Sequence, residues 1–308
     1  MHNVFLRGAS VIFRYTRFLV ASILIDILIS GGSLWAADAR SDATTSLQDL
    51  IELALEHNSK DRVNGKYLAS ENVTFLVKKY FYQIETKVEQ LATAKEVRDH
   101  FQKGIKKSEE IFDSGEGSVS QADITKLKLG LSNTLSNIVD FEYELKIGKL
   151  NLGKLINQEL LGENYVKTSD PLPIDFPFTN FGQYLKAKHL TTQKNKIIGD
   201  AGINLNKSDG REPLILTEEN RLLLLKAFFG VKLSNDKVIL GKENRKITRA
   251  LLVAEVANYD FGIGDSQDLF EALIIYTRVF SSYLDSVYAL KVSVAELEKL
   301  TDSIYARN

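Results

Sequence analysis

The segment IFDSGEGSVSQADITKLKLGLS, Ile111–Ser132, decides how this sequence folds. Its core, FDSGEG at Phe112–Gly117, returns as YDFGIG at Tyr259–Gly264. Both read aromatic, Asp, any residue, Gly, any residue, Gly. Glycine tolerates positive φ, the conformation that ends a helix. Gly115, Gly117, Gly262 and Gly264 are therefore expected to stop one helix each time, with Phe112 and Tyr259 closing its apolar seam. Ser118, with Gln121 three residues on, and Asp265 are expected to cap the helix that follows. Asp123 and Asp268 stand near the start of those helices. Each stretch thus reads as a hinge between two helices.

The flanks support long helices. Val77, Ile84, Leu91, Ile105 and Phe112 recur on a seven-residue grid broken only at Arg98. The spacing predicts a helix from about Ser70 to Phe112, on the order of 60 Å at 1.5 Å per residue. After the turn, Ile124, Leu131, Ile138, Leu145 and Leu152 keep strict sevens, with Leu127, Phe141 and Leu155 three positions on, the a/d pattern of a helical seam. That helix fades near Asn157–Gly162. Earlier, Ser46 and Asp49 form a capping pair ahead of a helix that loosens at His57–Lys66. The stretch DPLPIDFPF, Asp170–Phe178, holds three of the four prolines and breaks any helix. Beyond it Thr179–Lys194 is weakly helical and Ile197–Pro213 reads as irregular or a short strand. Leu216–Phe229 is a helix capped by Thr217, Val231–Glu243 is ambiguous, and Ile247–Tyr259 is helical again. Asp265 opens a last helix running to about Ser303.

The two halves match. With Asp123 set on Asp268, the grid falls on Leu269, Tyr276, Tyr283, Leu290 and Leu297. Identities include Ser136/Ser281, Asp140/Asp285, Tyr143/Tyr288, Lys146/Lys291 and Leu152/Leu297. The glycine turns align at an offset of 147, two residues more than the offset of 145 for the helices. Shared grids alone are common to amphipathic helices; a turn in the same place and shared polar residues favour duplication. The expected fold is mainly α, with long antiparallel coiled-coil-like helical hairpins and little or no β-strand. The expected divisions are a signal peptide at 1–39, a first helical repeat at 40–169, a Pro-rich linker at 170–178 and a second repeat at 179–308.

The N-terminus has Arg7, Arg14 and Arg17, then the apolar run Phe18–Ala36 and the small-residue site Ala37–Ala39. This describes a secretory signal peptide. The alternative is an uncleaved inner-membrane anchor, but Asp26 and the Gly31-Gly32 pair leave the run short of the roughly 20 residues a spanning helix needs. The net charge of -1 gives no footprint for nucleic acid. No Cys is present, so disulfides, thiolate nucleophiles and zinc-thiolate sites are out. His2, His57, His100 and His189 do not fall at metal-ligand spacing. The Gly-x-Gly pairs lack the strand, further glycines and Lys-Ser/Thr of a phosphate loop. No enzyme, cofactor or metal site is expected.

In the order of its parts the sequence resembles the outer membrane efflux protein family, the TolC-like outer membrane factors. The parts are SLQDLIELALEHNSK (Ser46–Lys60), a long helix, the turn and Asp-led helix of Ile111–Ser132, the repeat at Ala257–Tyr276, and YALKVSVAELEKLT (Tyr288–Thr301). The resemblance implies a homotrimer forming a periplasmic helical tunnel joined to an outer-membrane β-barrel in a Gram-negative bacterium. It also implies service in efflux or type I secretion with a periplasmic adaptor and an inner-membrane transporter, docking at the turns. The sequence departs from the family where the barrel belongs. Spanning strands need about 9–11 residues each. Asp61–Ala69 is too short for two, and Ile197–Glu243 lacks clean alternation. The second expectation is therefore a soluble periplasmic helical interaction protein of the same descent, without a pore.

Overall fold

The computed structural model describes residues 46–61, 68–115, 119–160, 171–192 and 213–307. The expected signal peptide at 1–39 lies outside the described residues. Among the described residues, six helices and two short strands follow in the order α1 (Leu47–Asp61), α2 (Ser70–Ser114), α3 (Gln121–Ile156), α4 (Phe181–Ala187), β1 (Leu190–Thr192), β2 (Leu214–Leu216), α5 (Glu218–Asp260) and α6 (Ser266–Ala306). The mainly α fold expected from the periodicity is the fold observed, with three-residue strands paired in parallel.

Local chemistry sets the ends. The Ser46 hydroxyl accepts from Asp49 N–H (3.2 Å), and Ser46 N–H donates to the Asp49 carboxylate (2.9 Å). Thr217 caps α5, accepting from Asn220 N–H at 3.2 Å. α2 runs two residues past the expected Phe112 stop, to Ser114. α3 ends where expected, with Asn157 left-handed at φ 54°. The weak helix expected over Thr179–Lys194 is one short helix and a strand instead. Asn180 caps it through Gln183 N–H, and His189 at φ 47° turns the chain into β1, with β-branched Thr191 and Thr192. The ambiguous Val231–Glu243 is helical throughout, so α5 is one unbroken 43-residue helix.

The four long helices pack side by side in the order α5, α6, α2, α3. Cross-links run antiparallel within each hairpin. Lys87 meets Glu144 at 2.7 Å and Lys128 meets Glu109 at 2.7 Å between α2 and α3; Arg245 and Arg249 lie over Phe280 and Tyr276 between α5 and α6. α6 also runs antiparallel to α2, tied by Lys78–Glu298 near one end and Gln90–Ser281 midway. Both turns therefore lie at the same end. The inner helix α6 buries all five of its grid residues, Leu269, Tyr276, Tyr283, Leu290 and Leu297. The outer helix α3 buries only Ile124, Ile138 and Leu152 of its own. A second core joins α1 to α2 and α3 through Leu50, Ala54, Val77, Ile84 and Leu152.

Close helix contact depends on Gly130. A Cβ built there would lie 2.5 Å from the Phe101 ring, itself fully buried, and 3.1 Å from Phe270. Alanine is the better helix former, yet overpacking a core costs about 1–3 kcal/mol. Gly130→Ala is expected to lower the urea midpoint of unfolding, whereas the same change at open Gly230 is expected to raise it.

Candidate functional site at the paired helix turns

At the first turn Gly115 stands left-handed at φ 67°, its N–H donating to Phe112 O at 3.2 Å. Gly117 and Ser118 lie outside the described residues. The cap of α3 is Ser120, two residues beyond the expected Ser118. The pairing is reciprocal. Asp123 N–H donates to Ser120 Oγ (3.2 Å), while Ser120 N–H (3.1 Å) and hydroxyl (2.6 Å) donate to Asp123 Oδ2. Asp123 is thus the far partner of the cap, which the Ser-x-x-Asp spacing of Ser120–Asp123 could have signalled. Phe112 does not close a seam; its ring is exposed.

At the second turn Gly262 stands at φ 72°. Gly264 was expected to share that conformation, but among the described glycines only Gly115 and Gly262 have positive φ. Gly264 is needed for space. A Cβ there would lie 2.9 Å from Asn258 Cβ, and the N–H groups of Ile263 and Gly264 both donate to Asn258 O at 2.9 and 3.0 Å. Asp265 caps α6 as expected, accepting from Asp268 N–H at 2.8 Å.

The two tips are joined. Tyr259 is buried, and its hydroxyl donates to Gly104 O (3.1 Å) and lies 2.7 Å from Ser108 Oγ on α2. Burial pushes the phenol's pKa up. Lys107 donates to Tyr259 O and to Asp260 O (3.0 Å), satisfying carbonyls that the end of α5 leaves open. The sequence reading missed Lys107 and Ser108, because nothing in a single helix indicates which neighbouring carbonyl a lysine reaches. Between the tips lies a cleft of about 370 Å³ lined by Lys107, Ile111, Val119, Tyr259, Asp265 and Gln267, among others. Beside it Phe261 and Ile263 stand 80% and 79% exposed. The site offers apolar side chains and helix ends to a partner.

Comparison with known proteins is confined to structure. No family model matches the chain, and no curated protein matches it. Solved structures do. The outer-membrane channel OprN is 12% identical, with 83% of this chain and 70% of that chain covered at a TM-score of 0.53. CusC, described for its folding and transmembrane channel formation, is 13% identical over 83% and 74% at 0.54. The outer membrane protein VceC from Vibrio cholerae is 9% identical over 83% and 74% at 0.51. The chain has the helical fold of the TolC-like outer-membrane channels. Within that channel fold, no described helix is long and apolar enough to cross a membrane.

The twin caps differ in charge balance. The Ser120 hydroxyl and N–H hold the Asp123 carboxyl below its ordinary pKa. The neighbouring negative charge of Asp265, with Glu255 and Glu271 beyond, holds Asp268 above it. A depressed carboxyl stabilises above its unfolded pKa of about 3.9 and loses that stabilisation as pH falls through the folded value. A raised one stabilises below that unfolded pKa and loses its contribution as pH rises through the folded value. At pH 7 Asp123→Asn is therefore expected to lower Tm and Asp268→Asn to raise it. Both differences are expected to vanish in thermal melts taken well below the carboxyls' pKa values.

Proposed function

We propose that this chain forms part of a periplasmic helical conduit for export, assembled as a closed ring of identical copies. Three copies is the number the resemblance implies. One observation carries the reading. α5 repeats α2 at the offset of the turns, and α3 is repeated by α6 at the offset of the caps. At a set of matched positions, residues buried inside the chain on α2 and α6 have apolar counterparts left bare on α5 and α3. Thr86, Thr93 and Gly104 of α2 are buried, and their counterparts Leu233, Leu240 and Leu251 of α5 are exposed. Phe280, Leu284 and Ala295 of α6 are buried, and their counterparts Leu135, Val139 and Leu150 of α3 are exposed. Two apolar flanks on opposite edges of one layer are what a head-to-tail ring needs. Water-exposed apolar faces of this extent mark interaction surfaces.

The contact inside the chain is the template for the contact between chains. α2 covers α6; by the same register, α5 of one copy covers α3 of the next, bringing Lys237 to Asp140 as Gln90 comes to Asp285. OprN, CusC and VceC support a place in an outer-membrane export channel, and the signal-like N-terminus supports export of the chain to the periplasm or outer membrane. The exposed Phe261 and Ile263 support docking of a periplasmic adaptor, and beyond it an inner-membrane transporter, at the turn end.

A specific feature favours the second reading, a periplasmic assembly with no pore of its own. Only eight residues separate α1 from α2. The Asn58 amide closes that connection, donating to Leu68 O (2.8 Å) and accepting from Leu68 N–H (3.1 Å). Two spanning strands need roughly 18–22 residues, more than this connection has, which supports the poreless reading.

Val139→Asp, placed on the bare α3 flank, is expected to convert a multimer to monomers by light scattering without loss of helical circular dichroism. Val287→Asp, inside the chain, is expected to unfold it. A wild-type monomer at micromolar concentration would sink the ring. Fractionation of the mature protein separates the two readings, since membrane retention resisting carbonate supports a channel and a soluble ring supports the poreless form.

A further inference from the structure

α2 and α6 touch through a defined set of pairs. The Lys299 ammonium lies 4.4 Å from the Phe75 ring centroid, and that of Lys291 lies 4.9 Å from the Tyr82 ring centroid. Lys78 meets Glu298 at 2.7 Å, and a Cβ on Gly104 would lie 2.9 Å from Leu269. The Gln90 amide donates to Ser281 Oγ (2.8 Å) and Asp285 Oδ1 (2.9 Å). Between these, Lys291 Nζ lies 2.8 Å from Glu85 Oε2, with the side chains only 7% and 6% exposed. A charge so enclosed needs an opposite one beside it.

On the ring reading, from which this inference follows, α5 of one copy covers α3 of the next in the register of α2 on α6. Each pair then has a counterpart between copies. Phe75 and Lys299 become Leu222 and Lys154, Lys78 and Glu298 become Leu225 and Gly153, and Gly104 and Leu269 become Leu251 and Ile124. Tyr82 beside Lys291 becomes Phe229 beside Lys146. Leu222, Phe229 and Leu251 are exposed in the single chain, as the open half of such a contact requires. Gln90 and Asp285 become Lys237 and Asp140, an opposite pair. One pair changes sign. Glu85 and Lys291 become Lys232 and Lys146, two ammonium groups.

The carboxylates closest in sequence do not answer both. Glu142 and Glu144, just ahead of Lys146 on α3, reach back to Lys95 (3.6 Å) and Lys87 (2.7 Å) on α2. Asp140 answers Lys237. Asp236, one turn beyond Lys232, is the other acid on this stretch of α5. Three lysines, Lys146, Lys232 and Lys237, against Asp140 and Asp236 leave one positive charge at each seam. Among the described residues, none of the five has a charged partner in its own chain.

We propose that Lys146 of one copy and Lys232 of the next form an anion site at every seam of the ring, taking a small free oxyanion such as phosphate or sulfate. The oxyanion accepts hydrogen bonds from both ammonium groups and does between copies what the Glu85 carboxylate does inside the chain. The site exists only where two copies meet, so the anion draws copies together by mass action. The seam inside the chain carries its own carboxylate; the seam between chains borrows one charge from solution.

The test is sedimentation of the full mature chain over a dilution series, at one ionic strength set with chloride, sulfate or phosphate. Matched ionic strength removes the general screening of lysine repulsion. Sulfate and phosphate are expected to lower the concentration of half-assembly about tenfold relative to chloride. Lys232→Glu recreates the Glu85–Lys291 pair between copies. It is expected to assemble in chloride as tightly as the parent does in sulfate, with no further response to oxyanion. Lys146→Glu added to it sets two carboxylates together and is expected to abolish both the tight assembly and any gain from oxyanion. Lys103→Glu, the same charge change at an exposed position of the inner helix α2, is expected to behave as the parent. Equal assembly of the parent in all three salts overturns the anion site and leaves the ring. So does a Lys232→Glu variant that still responds to sulfate, since the response is then general exclusion of sulfate from protein surface. A parent and a Lys232→Glu variant that are both monomeric in every salt overturn the ring, and the site with it.

Discussion

A long single helix cannot hide its apolar side chains by itself, and α6 shows what it takes to do so. α5 covers one side of it and α2 the other. Burying each Leu, Phe or Val side chain contributes about 1.5–3 kcal/mol, and α6 collects this at Leu269, Leu273, Phe280, Leu284, Val287, Leu290 and Leu297. The outer helices are held chiefly through their inner neighbours. The whole layer thus hangs on the inner pair α6 and α2, and its two edges are unfinished in the same way.

The turns are the second constraint. Each must reverse the chain within a few residues while leaving no buried helix end unsatisfied. They solve this differently. The first uses a left-handed glycine and a reciprocal Ser-Asp cap. The second folds two N–H groups back onto Asn258 and keeps Gly264 bare so that the backbone can approach. Lys107 then bridges one hairpin to the end of the other, so the tips are a joined pair.

Much of this was legible in the sequence because periodicity reports on burial. The seven-residue grid located α2, α3 and α6, and small polar residues before apolar runs located Ser46, Thr217 and Asp265 as caps. The aligned turns also gave the register in which α2 and α5 are compared. What was illegible has physical reasons. Ser118 and Ser120 carry the same side chain two residues apart, and backbone geometry decides between them. Val231–Glu243 looked ambiguous because α5 is covered on one side only, so its bare flank adds apolar residues that blur the helical period. Gly264 looked like its partners because sequence does not separate a glycine needed for φ from one needed for room. The Glu85–Lys291 pair could not be seen at all, since the two residues stand 206 apart.

The small sheet carries a consequence of its own. β1 and β2 run parallel, with Leu190 beside Leu214 and Thr192 beside Leu216. A hairpin hands the chain back at the end it left; a parallel pair hands it back at the opposite end. Lengthening these two strands cannot make them the legs of one up-and-down loop. The ribbon instead works as a splice, delivering the chain into α5 along the direction in which it left α4.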